Sequence, residues 1–315
     1  MILLLGYTGY IGQAYADELV RRRLPWRPLS RRDLDYTSFD VLHRFLKETK
    51  PSLVINAAGY TGKPNVDACE TRQADTLAGN VILPVTIAHA CAAFDIPFAH
   101  ISSGCIYAGA KIRTADGVRV ERDLMQPAVR ALWETDPSVV VGFTETDEPN
   151  FSFRHPPCSF YSGTKALAEE AVSGVGRGYI WRLRIPFDRF DNPRNYLSKL
   201  LRYPRIYDNV NSLSHRGDLA RASLDLWEKH APFGIYNITN PGFVTSRQVV
   251  ESIRDILKPS RAFEFWADDA EFYRLGARTP RSNCVLDVAK LLAAGVVMRP
   301  VGEALRDALE HWSAS

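Results

Sequence analysis

The chain has 315 residues, 46% hydrophobic and 24% charged, enough to bury a large core in one large or two unequal domains and too apolar for a disordered chain. Its formal net charge of +3 rests on local clusters such as Arg21-Arg22-Arg23 and Arg31-Arg32, with no extended basic face, so no nucleic-acid partner is expected. Five cysteines (Cys69, Cys91, Cys105, Cys158, Cys284) without metal-ligand spacing predict neither a disulfide framework nor a metal site, and no window nears the roughly 18 apolar residues of a membrane span, so a cytoplasmic protein is expected.

In chain order, Met1 to Leu5 reads as a buried strand, Tyr10 to Arg22 as a helix and Trp26 to Leu29 as a second strand. A helix near Phe39 to Glu48, the strand Leu53 to Asn56, a long helix from about Ala74 to Ala93 and the strand Phe98 to Ser102 follow. The charged, proline-rich stretch 108–157 breaks this rhythm and reads as an excursion over a site, with Val118 to Trp133 expected to be helical. A helix from Phe160 to Val172 and a strand from Tyr179 to Arg184 resume it. Alternating strands and helices predict an α/β, Rossmann-type, doubly wound parallel sheet over residues 1–186. Beyond Pro186 the elements shorten, so 187–315 is assigned to a smaller substrate-binding lobe, with later strands returning to the main sheet as an option.

Gly6-Tyr-Thr-Gly9-Tyr-Ile-Gly12 directly follows the first strand. Glycine permits the tight turn at the first position, close approach of a pyrophosphate at the second and helix-sheet packing at the third, while the helix N-terminus offers amide donors to the anion. Gly6, Thr8, Gly9, Tyr10, Ile11 and Gly12 are therefore candidate cofactor residues. An acidic residue after the second strand would bind a ribose 2'-hydroxyl and arginine a 2'-phosphate. Ser30-Arg31-Arg32 stands there and predicts NADPH, with NADH as the alternative. Asn56, Ala57 and Ala58 end the third strand with small residues where a cofactor passes.

Tyr161-Ser-Gly-Thr-Lys165 puts a phenol and an ammonium on one helical face, a proton donor beside a cation, downstream of Ser102-Ser103-Gly104-Cys105. Together with the segments Asn56 to Glu70, Asn192-Pro-Arg-Asn195 and Pro280-Arg-Ser-Asn283, these motifs resemble the extended short-chain dehydrogenase/reductases, in particular the nucleotide-rhamnose synthase/epimerase-reductases related to dTDP-4-dehydrorhamnose reductases. The resemblance runs from residue 1 to about 312 and implies an NADPH-dependent 3,5-epimerase/4-reductase acting on a nucleoside-diphosphate 4-keto-6-deoxyglucose.

By the family's roles, Tyr161 donates a proton to O4 as hydride reaches C4, Lys165 holds the nicotinamide ribose and lowers the tyrosine pKa, and Ser103 hydrogen-bonds the same oxygen. Gly104-Cys105 stands where related 4,6-dehydratases carry an Asp-Glu pair, which disfavours dehydration, and Cys105 resembles the acid/base cysteine of the epimerase/reductases. Lys199 falls at the position of the second acid/base group. Thr61, Asn192, Arg194, Asn195, Arg281 and Asn283 are implied at the substrate's sugar and diphosphate, whereas Asp67 and Glu70 are expected to cap or orient the helix that follows them. His155 and Cys158, just before Tyr161, are weaker candidates for the sugar pocket. Residues 108 to 141 contain an apparent insertion relative to the family. A 4-ketoreductase without epimerase activity and a non-catalytic nucleotide-binding subunit are the competing readings; a homodimer is compatible with all of them.

Overall fold

The computed structural model describes residues 1–313. Its central sheet has six parallel strands, β1 (Ile2–Leu5), β2 (Trp26–Leu29), β3 (Leu53–Asn56), β4 (Phe98–Ser103), β5 (Gly178–Leu183) and β6 (Gly234–Asn237), in the spatial order β6-β5-β4-β3-β1-β2. Every residue of β1, β3 and β4 is buried, as expected of parallel strands covered on both faces. Alternation within a strand sends neighbours to opposite layers. Ile2, Leu4, Ile55 and Trp181 pack with α1 (Tyr10–Arg21), while Leu3, Leu5, Val54 and Phe98 pack with α2 (Phe39–Thr49) and α3 (Leu83–Ala92).

The helical run over 73–92 is not uniform: a π turn (Ala78–Ile82) separates Gln73–Leu77 from α3. Pro84 explains the break, because it has no amide hydrogen for the carbonyl four residues earlier. The break turns Asn80 inward, fully buried.

The smaller lobe has its own core, in which Leu197 and Leu200 of α5 (Tyr196–Arg202) meet Phe187, Ile206, Val249, Ile253, Val301 and Leu305. The chain does not stay there. Helix α6 (Arg216–Glu228) returns to pack on α1, where the Tyr15 and Ser223 hydroxyls lie 2.7 Å apart, and β6 joins β5 in parallel. Residues 216–237 therefore belong to the sheet layer, although they follow Pro186 in sequence.

The stretch expected to be helical from Val118 begins as a strand. Ala110–Thr114 pairs antiparallel with Gly117–Glu121 across the turn at Ala115-Asp116, and the helix is confined to Pro127–Thr135. Alternating Val118-Arg-Val-Glu121 suits an edge strand, and Pro127 suits only the first turn of a helix. Ala110, Ile112, Leu124, Val129 and Trp133 form a separate apolar cluster with Val210 and Val285, so this excursion leans on the smaller lobe. Among the described residues no helix is long and apolar enough to cross a membrane.

Candidate active site

Strand order reverses between β1 and β3, and the crevice at their carboxyl ends is where doubly wound sheets bind ligands. Close packing dictates the glycines that line it. Gly6 has φ +74°, and a Cβ there would lie 2.5 Å from the Ala58 amide nitrogen; at Gly12 it would lie 2.1 Å from the Gly6 carbonyl oxygen. Gly9, the N-cap of α1, is exposed and meets only the Gly6 carbonyl at 3.3 Å, so its outer side is open. No side chain caps α1 and its first turn holds no acid, which leaves amide donors directed at the crevice.

The other expected cofactor residues divide. Thr8 is exposed, Ile11 packs on the core beneath the sheet, and Ala57 and Ala58 are half-buried beside Gly6. Arg31 and Arg32 are exposed, with no ion pair among the described residues. Ser30 instead donates to Asp33 at 2.6 Å, so its hydroxyl orders the loop. Asn56 is fully buried; it contacts His100 at 3.2 Å and accepts from the Ala58 amide at 3.1 Å, shaping the turn from inside. The Tyr10 hydroxyl donates to Asp188 at 2.9 Å.

The helix α4 (Phe160–Val172) begins at Ser159, whose hydroxyl accepts from the Ser162 amide at 3.1 Å. Glu70 accepts from the Phe160 amide and the Thr279 hydroxyl, each at 2.8 Å, and so anchors the start of α4. Tyr161, Lys165 and Glu169 follow at four-residue spacing on one face. Lys165 is buried and donates to the Ile101 carbonyl at 3.1 Å; burial lowers its pKa, opposed by Cys105 and Glu169. A Cβ at Gly59 would come 4.0 Å from Lys165 Nζ, so the end of β3 and the lysine border one space. Asn80 braces this corner, bonding both backbone groups of Tyr60 at 2.8 Å and the Thr164 hydroxyl at 3.3 Å.

Tyr161 packs against the cluster of Cys105, Ile106, Cys284 and Leu286. Burial pushes the phenol well above its ordinary pKa, as do the Cys105 and Cys69 thiols, while Arg184 and Arg194 act in the opposite direction. Burial likewise raises the Cys105 thiol, opposed by Ser103 and Arg184. The Ser103 hydroxyl ends β4 and accepts from the Cys105 amide at 3.2 Å. The phenol and thiol thus share one surrounding, and both are held protonated near neutrality.

On the opposite lobe, α5 presents Lys199, whose pKa is pulled down to about 8 by burial and by Arg194. Arg194 also donates to the Gly62 carbonyl at 2.8 Å, beside exposed Thr61. Asn192 accepts from the Arg194 amide at 2.8 Å and shapes that turn. Asn195 is fully buried with its polar atoms engaged: it caps α5 through the Leu197 amide and donates to Asp188 and the Phe190 carbonyl. Arg281 forms an ion pair with Asp67, and Asn283 accepts from Asn211 at 3.0 Å. His155 lies at the surface with Glu148 at 2.9 Å, and Cys158 is half-buried.

Several residues here were not singled out from sequence. Arg184, buried, donates to Asn211 at 2.6 and 3.2 Å and to the Ser282 carbonyl, and its charge reaches both Tyr161 and Cys105. Asp188 accepts from Tyr10, Asn195 and Arg216, joining the start of α1 to the cap of α5. The available signals were charges inside or just after a buried strand and an asparagine within an apolar helix.

Comparison with known proteins agrees with this architecture. A family model described as the RmlD substrate binding domain matches residues 1–314. The bifunctional dTDP-4-dehydrorhamnose 3,5-epimerase/dTDP-4-dehydrorhamnose reductase of Arabidopsis thaliana is 32% identical over 290 residues, 92% of this chain and 85% of that protein. A trifunctional UDP-glucose 4,6-dehydratase/UDP-4-keto-6-deoxy-D-glucose 3,5-epimerase/UDP-4-keto-L-rhamnose-reductase of the same plant is 31% identical over 92% of this chain, which spans 39% of that protein's length. The solved UDP-rhamnose synthase of Acanthamoeba polyphaga mimivirus shares the fold with a TM-score of 0.81 at 23% identity, each chain being 98% covered. The dTDP-4-dehydrorhamnose reductase of Bacillus anthracis, solved in complex with NADP, does so with a TM-score of 0.75 at 18% identity, over 99% of this chain and 97% of that one.

Proposed function

The chain belongs to the RmlD substrate binding domain family, and from that premise we propose that it is an NADPH-dependent enzyme that epimerises C3 and C5 of a nucleoside-diphosphate 4-keto-6-deoxyglucose and reduces C4, yielding the L-rhamnose nucleotide. The observation that carries the reading is the packing of Tyr161 against the cluster that holds Cys105, with Arg194 acting both on Tyr161 and on Lys199, whose pKa is lowered to about 8. The crevice at Gly9 fits a dinucleotide pyrophosphate, since the outer side of that glycine is open and no side chain caps the start of α1. Exposed Arg31 and Arg32 suit its 2'-phosphate. When bound, NADPH supplies hydride to C4.

The chain's own residues supply the protons. Hydrogens at C3 and C5 are acidic only while the C4 carbonyl can take up the charge as an enolate, so donors aimed at O4 serve both reactions. Tyr161 and Ser103 fill that role. A lysine lowered to about 8 has a sizeable neutral fraction at physiological pH and acts as base on one face of the sugar. Cys105, kept as a thiol by burial, returns a proton from the other. After inversion Tyr161 protonates O4 as the carbonyl is reduced, with Lys165 holding the nicotinamide ribose.

The second reading, 4-keto reduction alone, is favoured by the 6% exposure of Cys105 within an apolar cluster, a setting equally natural for an inert thiol. Incubation with UDP-4-keto-6-deoxyglucose and NADPH in heavy water, followed by NMR of the product, separates the two. Deuterium at C3 and C5 in an L-rhamno product supports the bifunctional reading; a reduced sugar without it, or turnover only of the already epimerised 4-keto sugar, leaves the reductase, and no turnover of either sugar as its UDP or dTDP derivative overturns both.

A further inference from the structure

Arg281 does not present its guanidinium to the cleft unaccompanied. Its Nη1 and Nη2 donate to the two carboxylate oxygens of Asp67 at 2.6 and 2.9 Å, and the side chains are only 20% and 19% exposed. Arginine offers the same planar fork to a carboxylate as to a phosphate, so Asp67 satisfies Arg281 in the geometry a phosphate group would use.

The pair sits at the lip between the lobes. Both of its charges act on Tyr203, the C-cap of α5, four residues beyond Lys199. The Asp67 segment is strapped to the same lobe on either side: Arg194 donates to Gly62 and Thr279 to Glu70, each at 2.8 Å. Its own turn is closed locally, with the Asp67 amide donating to Asn65 Oδ1 at 2.9 Å and the Ala68 amide to the Asn65 carbonyl at 3.3 Å. The carboxylate can therefore release Arg281 while the turn keeps its shape.

We propose that Asp67 is a specificity-determining residue of the substrate site: its carboxylate holds the fork of Arg281 that a nucleoside diphosphate takes, so the diphosphate enters by exchange with it. This rests on the nucleotide-sugar reading above. The consequence is that affinity for the diphosphate is held below what Arg194 and Arg281 alone would give. An anion unable to grip both prongs does not displace the carboxylate.

The test is calorimetric titration of the full chain with UDP, and separately with dTDP, for wild type, Asp67→Asn, Asp67→Ser, Arg281→Gln and Asp67→Asn/Arg281→Gln. Removing the internal competitor should tighten binding about fivefold, the scale of one partly exposed ion pair. Arg281→Gln should weaken it about tenfold, and in that background the change at Asp67 should have no effect. Unchanged or weaker binding in folded Asp67→Asn and Asp67→Ser overturns the exchange, as does equal tightening with and without Arg281. Wild type that binds neither nucleotide sinks the nucleotide-sugar reading itself, whereas wild type that binds one while both Asp67 variants are indifferent sinks only the exchange.

Discussion

The glycine turn at the start of α1 and the lip between the lobes are built by opposite means. At the turn the backbone does the work: Gly6 and Gly12 are present because a Cβ would strike a neighbouring main-chain atom, and the amide donors at the start of α1 have no side-chain competitor. At the lip side chains do the work, and they are already engaged within the chain, Arg281 by Asp67 and Arg194 by the Gly62 carbonyl. A site made of main chain tolerates almost no substitution but imposes little choice of ligand. One made of self-paired side chains can change its ligand through single substitutions, because each charge is set against an internal partner.

Substitutions at either end break or sharpen this contrast, and the largest effect is expected between them. Tyr161→Phe should lower reductase kcat about a thousandfold, the scale of a lost proton donor at a developing oxyanion, with unchanged circular dichroism and cofactor affinity. Retention of full turnover would remove the tyrosine from the chemistry. Lys199→Met should reduce deuterium wash-in about a hundredfold and leave reduction of an already epimerised sugar within a few-fold. Because the lysine's pKa is lowered to about 8, its neutral form grows as pH rises through that value. Wild-type wash-in measured by NMR should therefore climb and then level, and Lys199→Met should lack that limb.

At the turn, Gly12→Ala drives a methyl into the Gly6 carbonyl and should cost about 1–3 kcal/mol, the range for overpacking. Thermal melts and NADPH titration should both register it, and a variant with wild-type melting and affinity would show that the turn has slack. The smallest change is expected from Arg31→Ala combined with Arg32→Ala, which should lower kcat/KM for NADPH about tenfold and leave NADH nearly unaffected. Equal losses with both cofactors would take these arginines away from the 2'-phosphate.

Much of the architecture was legible because it is local. Strand β3 and the helix α4 lie where their apolar residues and flanking breakers put them. The long helix near 74–93 hides a π turn whose cause, Pro84, is visible in the sequence, but whose result, a buried Asn80 braced against Tyr60, is not. Val118 to Trp133 is ambiguous to periodicity because it holds both the end of a strand, at Glu121, and the start of a helix, at Pro127. The polar residues were least predictable. Asn56, Arg194 and Arg281 have the right chemistry for a ligand, yet each has a partner from a segment far away in the chain: His100, the Gly62 carbonyl and Asp67.

What the sequence determined by itself is the set of chemical groups and the local frames that hold them: a phenol and an ammonium one helical turn apart, a glycine turn at the start of a helix, a cysteine just after a buried strand. These follow from helical and strand periods and from steric demands acting over a few residues. The tertiary structure alone decided which charges face one another, that Arg184 and Arg194 act on Tyr161, that Asp67 engages Arg281, and that residues 216–237 rejoin the sheet. Electrostatic and hydrogen-bond partners depend on distance in space, and distance along the chain does not encode it.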